Sequence, residues 1–460
     1  MHTEAEPAVT RPSGRQHEPG RGRLLPLAGA AVAATAAAAY LAAIAAHPLT
    51  DMLKGFDLRV YLDGGHQALH YPGRLYSWTY DGHPGIQFTY TPFAALLFAA
   101  GLAVRFRWLM VAVTVVSMAA LGATVSIAFR ELGWRGRSRF GGTLLVAGLA
   151  LWTEPVQRAL FLGQVEIVLM ALVTWDLSQP AGRRWRGAAT GVAAGIKLVP
   201  LLFIVYLLLT RRLRAAAVAG AAFAVTVIIG FAALPSASVS WWLDGDFFQA
   251  GRTGFVGGEQ NQSLRGLLTR LAGSVQGAEW PWLALAVLAA VAGLAAAVAL
   301  HRAGHPFAGL LACALTALLV SPISWDHHWV WIAPGLAVLI DAGVRASRAS
   351  RRRAAAWYAL AAALVAVFAA WPEFWSAGAG LLGGGLINYA PSTAWAYGDN
   401  PAYREYHWHG LQFIAGNLEV LAGLAAFAVL LAAGYRSGRG RKTARGRSAE
   451  QAPVTTSTLA

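Results

Sequence analysis

The feature that most constrains this chain is the recurrence of long apolar stretches bounded by short arginine-rich segments. LLPLAGAAVAATAAAAYLAAIAAH (24–47), LMVAVTVVSMAALGATVSIAF (109–129) and AAAVAGAAFAVTVIIGFAAL (215–234) each reach the roughly 20 apolar residues that a helix needs to cross a bilayer. RELGWRGRSR (130–139), GRRWR (182–186) and RASRASRRR (345–353) lie between such stretches. In lipid every backbone N–H and C=O must be satisfied inside its own segment, so the expected class is an all-α polytopic membrane protein. Composition agrees: 57% of residues are hydrophobic and 13% charged, against about 25% charged in soluble proteins. Counting the apolar windows predicts about 10–12 transmembrane helices.

The net charge of +15 does not point to nucleic acid, because the Arg residues sit in short loops and at the two ends, as the positive-inside rule requires. Cys313 is the single cysteine, which excludes an intramolecular disulfide. Residues 1–23 and 435–460 are polar and basic, and are expected to be disordered cytoplasmic tails around one transmembrane domain spanning 24–434. The first apolar stretch reads as a retained span and not a cleaved signal. External loops are expected at about 48–91, 235–280, 321–329 and 373–410. Segment 93–104 is expected to be a short or re-entrant helix, since a full crossing would put the Arg-rich 130–139 loop outside. Basic residues flank 187–210 on both sides. Either two half-helices meet at 195–200 with Lys197 at the turn, or one kinked helix lets Lys197 snorkel.

The expected external segments collect carboxylates, His, amides, Trp and Tyr. That mixture suits a carbohydrate-handling surface, and also any membrane interface. GFDLRVYLDGGHQALHY (55–71) places Asp57, Arg59, Asp63 and His66 where the chain leaves its first span. GQVE (163–166) offers Gln164 and Glu166, and NQSLRG (261–266) offers Asn261, Gln262 and Arg265. SWDHHW (324–329) sets Asp326, His327 and His328 between two spans, where ionisable groups are costly unless paired or used. Adjacent side chains diverge, which is poor spacing for a metal, so a phosphate is the better partner for such His and Arg groups. No Walker A loop, GxGxxG, GxSxG or HExxH is present, which disfavours a nucleotide-driven pump. A secondary transporter or lipid flippase remains the rival of an enzyme, with Lys197 and the Asp/His pair as an ion path.

FDLRVYLDGG, YTPFAALLF, GQVEIVLMALVTWDL, GIKLVPLLFIVYLLLTRR, NQSLRGLL and SPISWDHHWVW, in this order, resemble glycosyltransferase family 87, the actinobacterial polyprenol-phosphate-sugar-dependent membrane enzymes with a glycosyltransferase-C-like fold. The resemblance implies a multi-pass cell-membrane enzyme with cytoplasmic termini and an extracytoplasmic site. It also implies inverting transfer of mannose from polyprenyl-phospho-mannose to a lipid-linked mannoside of phosphatidylinositol mannoside type, forming an α-1,2 linkage. The family also contains arabinofuranosyltransferases, so a polyprenyl-phospho-arabinose donor is the alternative. In that pattern Asp57 is the general base, with Asp63 as the alternative base, although its GG neighbours suggest a turn. His327, His328, Lys197 and Arg265 are expected at the donor phosphate, and Arg59 either holds Asp57 ionised or contacts that phosphate. Gln164, Glu166, Asn261, Gln262, Asp326, Asp63 and His66 are expected substrate contacts. The chain lacks a paired-carboxylate DxD motif, so no cofactor and no divalent metal are expected. Besides donor and acceptor, membrane lipids are the expected partners, and lipid-entry grooves are expected near 93–104 and 187–210.

Overall fold

The computed structural model of the chain describes residues 24–46, 55–82, 85–371, 384–389, 393 and 398–450. The expected N-terminal tail, residues 451–460 of the C-terminal tail and residues 373–383, 390–392 and 394–397 of the expected 373–410 loop fall outside the described residues.

Helices account for nearly all of the described chain, and it is an all-α polytopic membrane protein. A two-residue antiparallel pairing of Ala370–Trp371 with Gly384–Gly385 is the exception. Among the described residues, five helices are long and apolar enough to cross a bilayer: Phe106–Glu131, Leu213–Ala233, Val275–Arg302, Asp326–Ala346 and Leu418–Arg436. A sixth crossing results if Glu154–Leu162 and Glu166–Leu177 form one span, bent by 113°. The apolar helices Leu25–Ala39, Pro92–Ala103 and Pro306–Val320 are shorter. At ~1.5 Å per residue Pro92–Ala103 and Pro306–Val320 do not reach across ~30 Å of hydrocarbon, whereas the first helix runs in full from Leu24 to Ala46 and is long enough to cross. This count is below the expected 10–12 because apolar windows that look alike in sequence are built here as short or broken helices.

Segment 93–104 is one such short helix. Thr91 caps it by accepting from Ala94 N at 3.1 Å, and Pro92 occupies its first position, where a missing N–H costs nothing. Stretch 187–210 is broken into Ala188–Ile196 and Leu201–Leu209, with Lys197 extended between them (φ −137°, ψ 135°). Pro200 has no N–H to offer the Ile196 carbonyl, and it biases Val199 away from helical geometry. The Gly195 carbonyl, exposed by the break, accepts the Thr91 hydroxyl instead. Of the two arrangements open from sequence, the broken one is present.

Residues 55–71, expected to be part of a loop, instead form the helix Phe56–His70. Leu58, Tyr61, Gly65 and Ala68 fall on one buried face at helical spacing. The GG pair is therefore not a turn but a point of close approach. A methyl at Gly65 would lie 2.6 Å from the Ala99 backbone nitrogen, and one at Gly64 would meet the Phe88 ring. The last helix, Leu418–Glu450, continues into the basic 435–460 segment.

Candidate active site

Where the chain leaves the first span, Gly55 takes a left-handed backbone (φ 56°) and starts the Phe56–His70 helix, which puts Asp57 in its first turn. A second left-handed glycine, Gly163 (φ 70°), ends Glu154–Leu162 and turns the chain by 113° into Glu166–Leu177. That bend delivers Gln164 and Glu166 beside Asp57. The third contributor is the break at Lys197, and the fourth is the 3-10 turn Asp326–Trp331, which carries His327 and His328. Four interruptions of helix therefore meet at one place, where irregular backbone can line a polar cavity.

One chain of polar contacts links them. The Gln164 amide donates to Asp57 Oδ2. The Tyr61 hydroxyl donates to the Gln164 carbonyl oxygen, which fixes the amide with its NH2 toward the carboxylate. Tyr61 and Tyr90 hydroxyls lie 2.7 Å apart, and Lys197 Nζ donates to Tyr90 at 3.4 Å. Lys197 pairs with Glu166 Oε1, and His328 Nε2 lies 3.0 Å from both Lys197 Nζ and Glu166 Oε1. Burial raises Asp57 above the ordinary carboxylate range, opposed by His327, by the Gln164 hydrogen bond and by Lys197. Burial also pushes the Tyr61 and Tyr90 hydroxyls well above their ordinary values, which keeps both as donors.

His327 is set from behind. Its Nδ1 is 3.1 Å from Asp326 Oδ1, its backbone N–H donates to the same oxygen at 2.6 Å, and Asp326 Oδ2 meets Arg158 Nε at 2.8 Å. Glu166, His327 and His328 each present one ligand atom, all within 4.8 Å of one another, a set that could hold a metal ion.

These groups face a cavity of about 1680 Å³. Asp57, Arg59, Gln164, Lys197, Arg265, His327 and His328 line it, whereas Glu166 reaches it only through Lys197 and His328. Its apolar wall comes from Leu198, Val199 and Leu202 after the Lys197 break, and from Leu283, Val287 and Ala290 on Val275–Arg302. Leu283 and Val287 in this wall are exposed. Of the two grooves expected from sequence, the one beside 187–210 is lined this way; no residue of 93–104 lines the cavity.

Several expected site residues lie elsewhere. Asp63 and His66 do not line the cavity; Asp63 interacts with His66 and Arg59 on the outer side of its helix. Arg59 lies over the Phe106 ring at 3.8 Å, and the charges acting on Asp57 are His327, Lys197 and Glu166. Asn261 is fully buried, donating to Val256 O at 2.8 Å and accepting from Ser324 N at 3.0 Å. Gln262 donates to Gly416 O at 2.9 Å and accepts from Val420 N at 3.1 Å. Asn261 pins its segment to Ser324, just before the turn that carries the histidines, and Gln262 pins it to the Gly416–Val420 segment. Asp326 is likewise buried behind His327. Arg265 lines another part of the wall, 4.8 Å over Trp282, with burial lowering its pKa and Glu279 raising it. Tyr61, Tyr90 and Arg158 were not singled out from sequence. The signals were there: Tyr61 is one turn after Asp57, and Arg158 is a charge inside an apolar helix.

The model of glycosyltransferase family 87 matches residues 88–322, which includes Gln164, Glu166, Lys197 and Arg265 but not Asp57 or the two histidines. The chain is 34% identical over 379 residues, 80% of its length and 81% of the relative's, to a polyprenol-phosphate-mannose-dependent alpha-(1-2)-phosphatidylinositol pentamannoside mannosyltransferase of Mycobacterium tuberculosis. It is 33% identical over 377 residues, 80% of its length and 84% of the relative's, to the protein of the same description from Mycolicibacterium smegmatis. A polyprenol-phosphate-mannose-dependent alpha-(1-2)-phosphatidylinositol mannoside mannosyltransferase of Mycobacterium tuberculosis is 34% identical over 271 residues, 55% of this chain and 62% of that one. No solved structure matches the chain.

Proposed function

The chain belongs to glycosyltransferase family 87, and on that premise we propose that it moves mannose from polyprenol-phosphate-mannose to a hydroxyl of a phosphatidylinositol mannoside-type acceptor. The linkage formed is α-1,2, with inversion at the anomeric carbon. The observation that carries this reading is one cavity holding a desolvated carboxylate, Asp57, together with the Lys197 ammonium and the His327 and His328 rings.

A sugar hydroxyl is far too weak an acid to ionise at neutral pH, so a base must take its proton as the new bond forms. Asp57 is that base. The acceptor oxygen attacks the anomeric carbon from the face opposite the phosphate, and its proton passes to Asp57. The bond from that carbon to the phosphate oxygen breaks, and the electron pair leaves on polyprenyl phosphate. A β-linked donor thereby gives an α product without a covalent enzyme intermediate. Lys197 with His327 and His328 meets the charge that grows on the leaving phosphate, where fixed partners are most effective. Arg265 and Arg59 line the same cavity as further cations.

A volume of about 1680 Å³ exceeds the ~300–1,000 Å³ usual for one small ligand and leaves room for two sugar heads. The apolar wall at Leu198–Leu202 and Leu283–Ala290 receives the polyprenyl chain. The Arg-rich 130–139, 182–186 and 345–353 segments support a topology with the basic loops and both termini in the cytoplasm and the cavity on the other side.

The test is direct. Purified protein is given labelled polyprenyl-phospho-mannose or polyprenyl-phospho-arabinose with phosphatidylinositol mannoside acceptors, and the product linkage is determined. Transfer of mannose with an α-1,2 linkage is expected. Transfer of arabinose alone would replace the donor, and solute or lipid movement without glycan product would remove the enzyme reading.

A further inference from the structure

The surroundings of Lys197 hold more cation-binding apparatus than a simple phosphate contact requires. Glu166, His327 and His328 present ligand atoms within 4.8 Å of one another. A divalent ion at about 2.1 Å from each ligand needs neighbouring ligand atoms ~3.0–3.5 Å apart, so small side-chain adjustments would close the set. Behind it, His327 Nδ1 is held by Asp326 at 3.1 Å while its buried Nε2 has no hydrogen-bond partner. A carboxylate on one ring nitrogen with the other left open is the support that metal-binding histidines carry.

The Lys197 ammonium already contacts two members of this set, Glu166 and His328. Its acceptors are Glu166 Oε1, His328 Nε2 at 3.0 Å and Tyr90 Oη at 3.4 Å, one for each of its three protons. The contact to Tyr90 is the longest, and it is the one that an arriving phosphate oxygen would replace. The break before Pro200 leaves Lys197 extended and directs it here from between two half-helices.

We propose that the Lys197 ammonium is a tethered cation standing where a divalent metal would sit in a Glu166–His327–His328 ligand set, so that the donor phosphate is met by a covalently held charge and transfer needs no divalent ion. The proposal rests on the reading that this group faces the donor phosphate. It makes a prediction that reading alone does not: removing the ammonium uncovers a metal site.

The experiment titrates purified full-length protein with Zn²⁺ and Mn²⁺ by calorimetry. Wild type, Lys197→Met and the Lys197→Met/Glu166→Gln double variant are compared, with thermal unfolding followed for each. Wild type is expected to show no ion bound at this site and to keep its transfer rate after exhaustive chelation. Lys197→Met is expected to lose ~100-fold in transfer and to gain one metal site per chain that the double variant lacks. A stoichiometric ion on wild type that Glu166→Gln removes, or loss of wild-type activity on chelation with recovery on adding metal, overturns the proposal. So does a folded Lys197→Met that gains no site. If Lys197→Met does not fold, the wild-type titration and chelation decide by themselves. Absence of mannosyl transfer in wild type would sink the functional reading while leaving the metal titration to be read independently.

Discussion

Two groups of buried charges lie back to back in this protein. In front, Asp57, Lys197 and His328 line the cavity, with Glu166 held between the last two. Behind, Arg158 pairs with Asp326, and Glu154, Glu259 and Glu419 are its other acidic neighbours. Arg158 touches the cavity wall yet is only 3% exposed, and Asp326, Glu154 and Glu419 do not reach the cavity. Both groups combine carboxylates with a cation. What differs is access: Asp57, Lys197 and His328 in the front group have space for a phosphate or a hydroxyl, whereas of the rear group only Arg158 and Glu259 reach the cavity. A buried charge alone therefore says little about chemistry; a buried charge with room beside it says much more.

Substitutions can break this comparison or sharpen it. Asp57→Asn removes the base without changing size, and mannosyl transfer is expected to fall about 10²–10⁴-fold with unfolding temperature unchanged. Transfer within tenfold of wild type would take Asp57 out of the role. In the rear group Arg158→Met leaves Asp326 buried and unpaired, and should cost about 3–5 kcal/mol of stability, read as early thermal unfolding in detergent. If Arg158→Met unfolds normally and instead only weakens donor binding, Arg158 belongs to the front group. Gln164→Leu removes one hydrogen bond to a charged carboxylate and is expected to slow transfer about 10–100-fold.

Gln164→Leu also carries a pH signature. Only ionised Asp57 can accept the proton, so the rate rises with pH through its pKa, which burial already holds above the ordinary carboxylate range. The Gln164 hydrogen bond lowers that pKa, so its loss should move the acid limb of the rate profile to higher pH. An unmoved limb would mean that Gln164 does not act through Asp57. The smallest effect is expected at Asp63→Asn, which lies outside the cavity and should leave transfer within about twofold.

The broken helix at Lys197 was open to sequence reading because basic residues flank both of its ends and Pro200 interrupts it. The short helix at 93–104 was legible from length. Asp57 and the His327–His328 pair stood out as ionisable groups beside apolar segments. The helical form of 55–71 was not read, because its alternating polar residues and GG pair imitate a loop; the glycines are there for Phe88 and the Ala99 backbone, contacts that no local pattern announces. Asn261 and Gln262 looked like ligand contacts for a similar reason. An amide side chain has the same appearance whether it meets a sugar or, as here, backbone groups of the Ser324 and Gly416–Val420 segments.

The sequence by itself determined the solvent of this protein. Long apolar windows with Arg-rich borders admit only lipid-embedded helices, since periodicity and hydropathy are local properties that survive without coordinates. Only the tertiary structure decided which polar residues share a space. Asp57, Gln164, Lys197 and His328 come from four separate interruptions of helix, and their convergence depends on how those helices pack. Side-chain partners more than a hundred residues apart are set by packing geometry, and the chain order does not encode it in any local signal. For the same reason Lys197, far along the chain, is among the charges that act on Asp57.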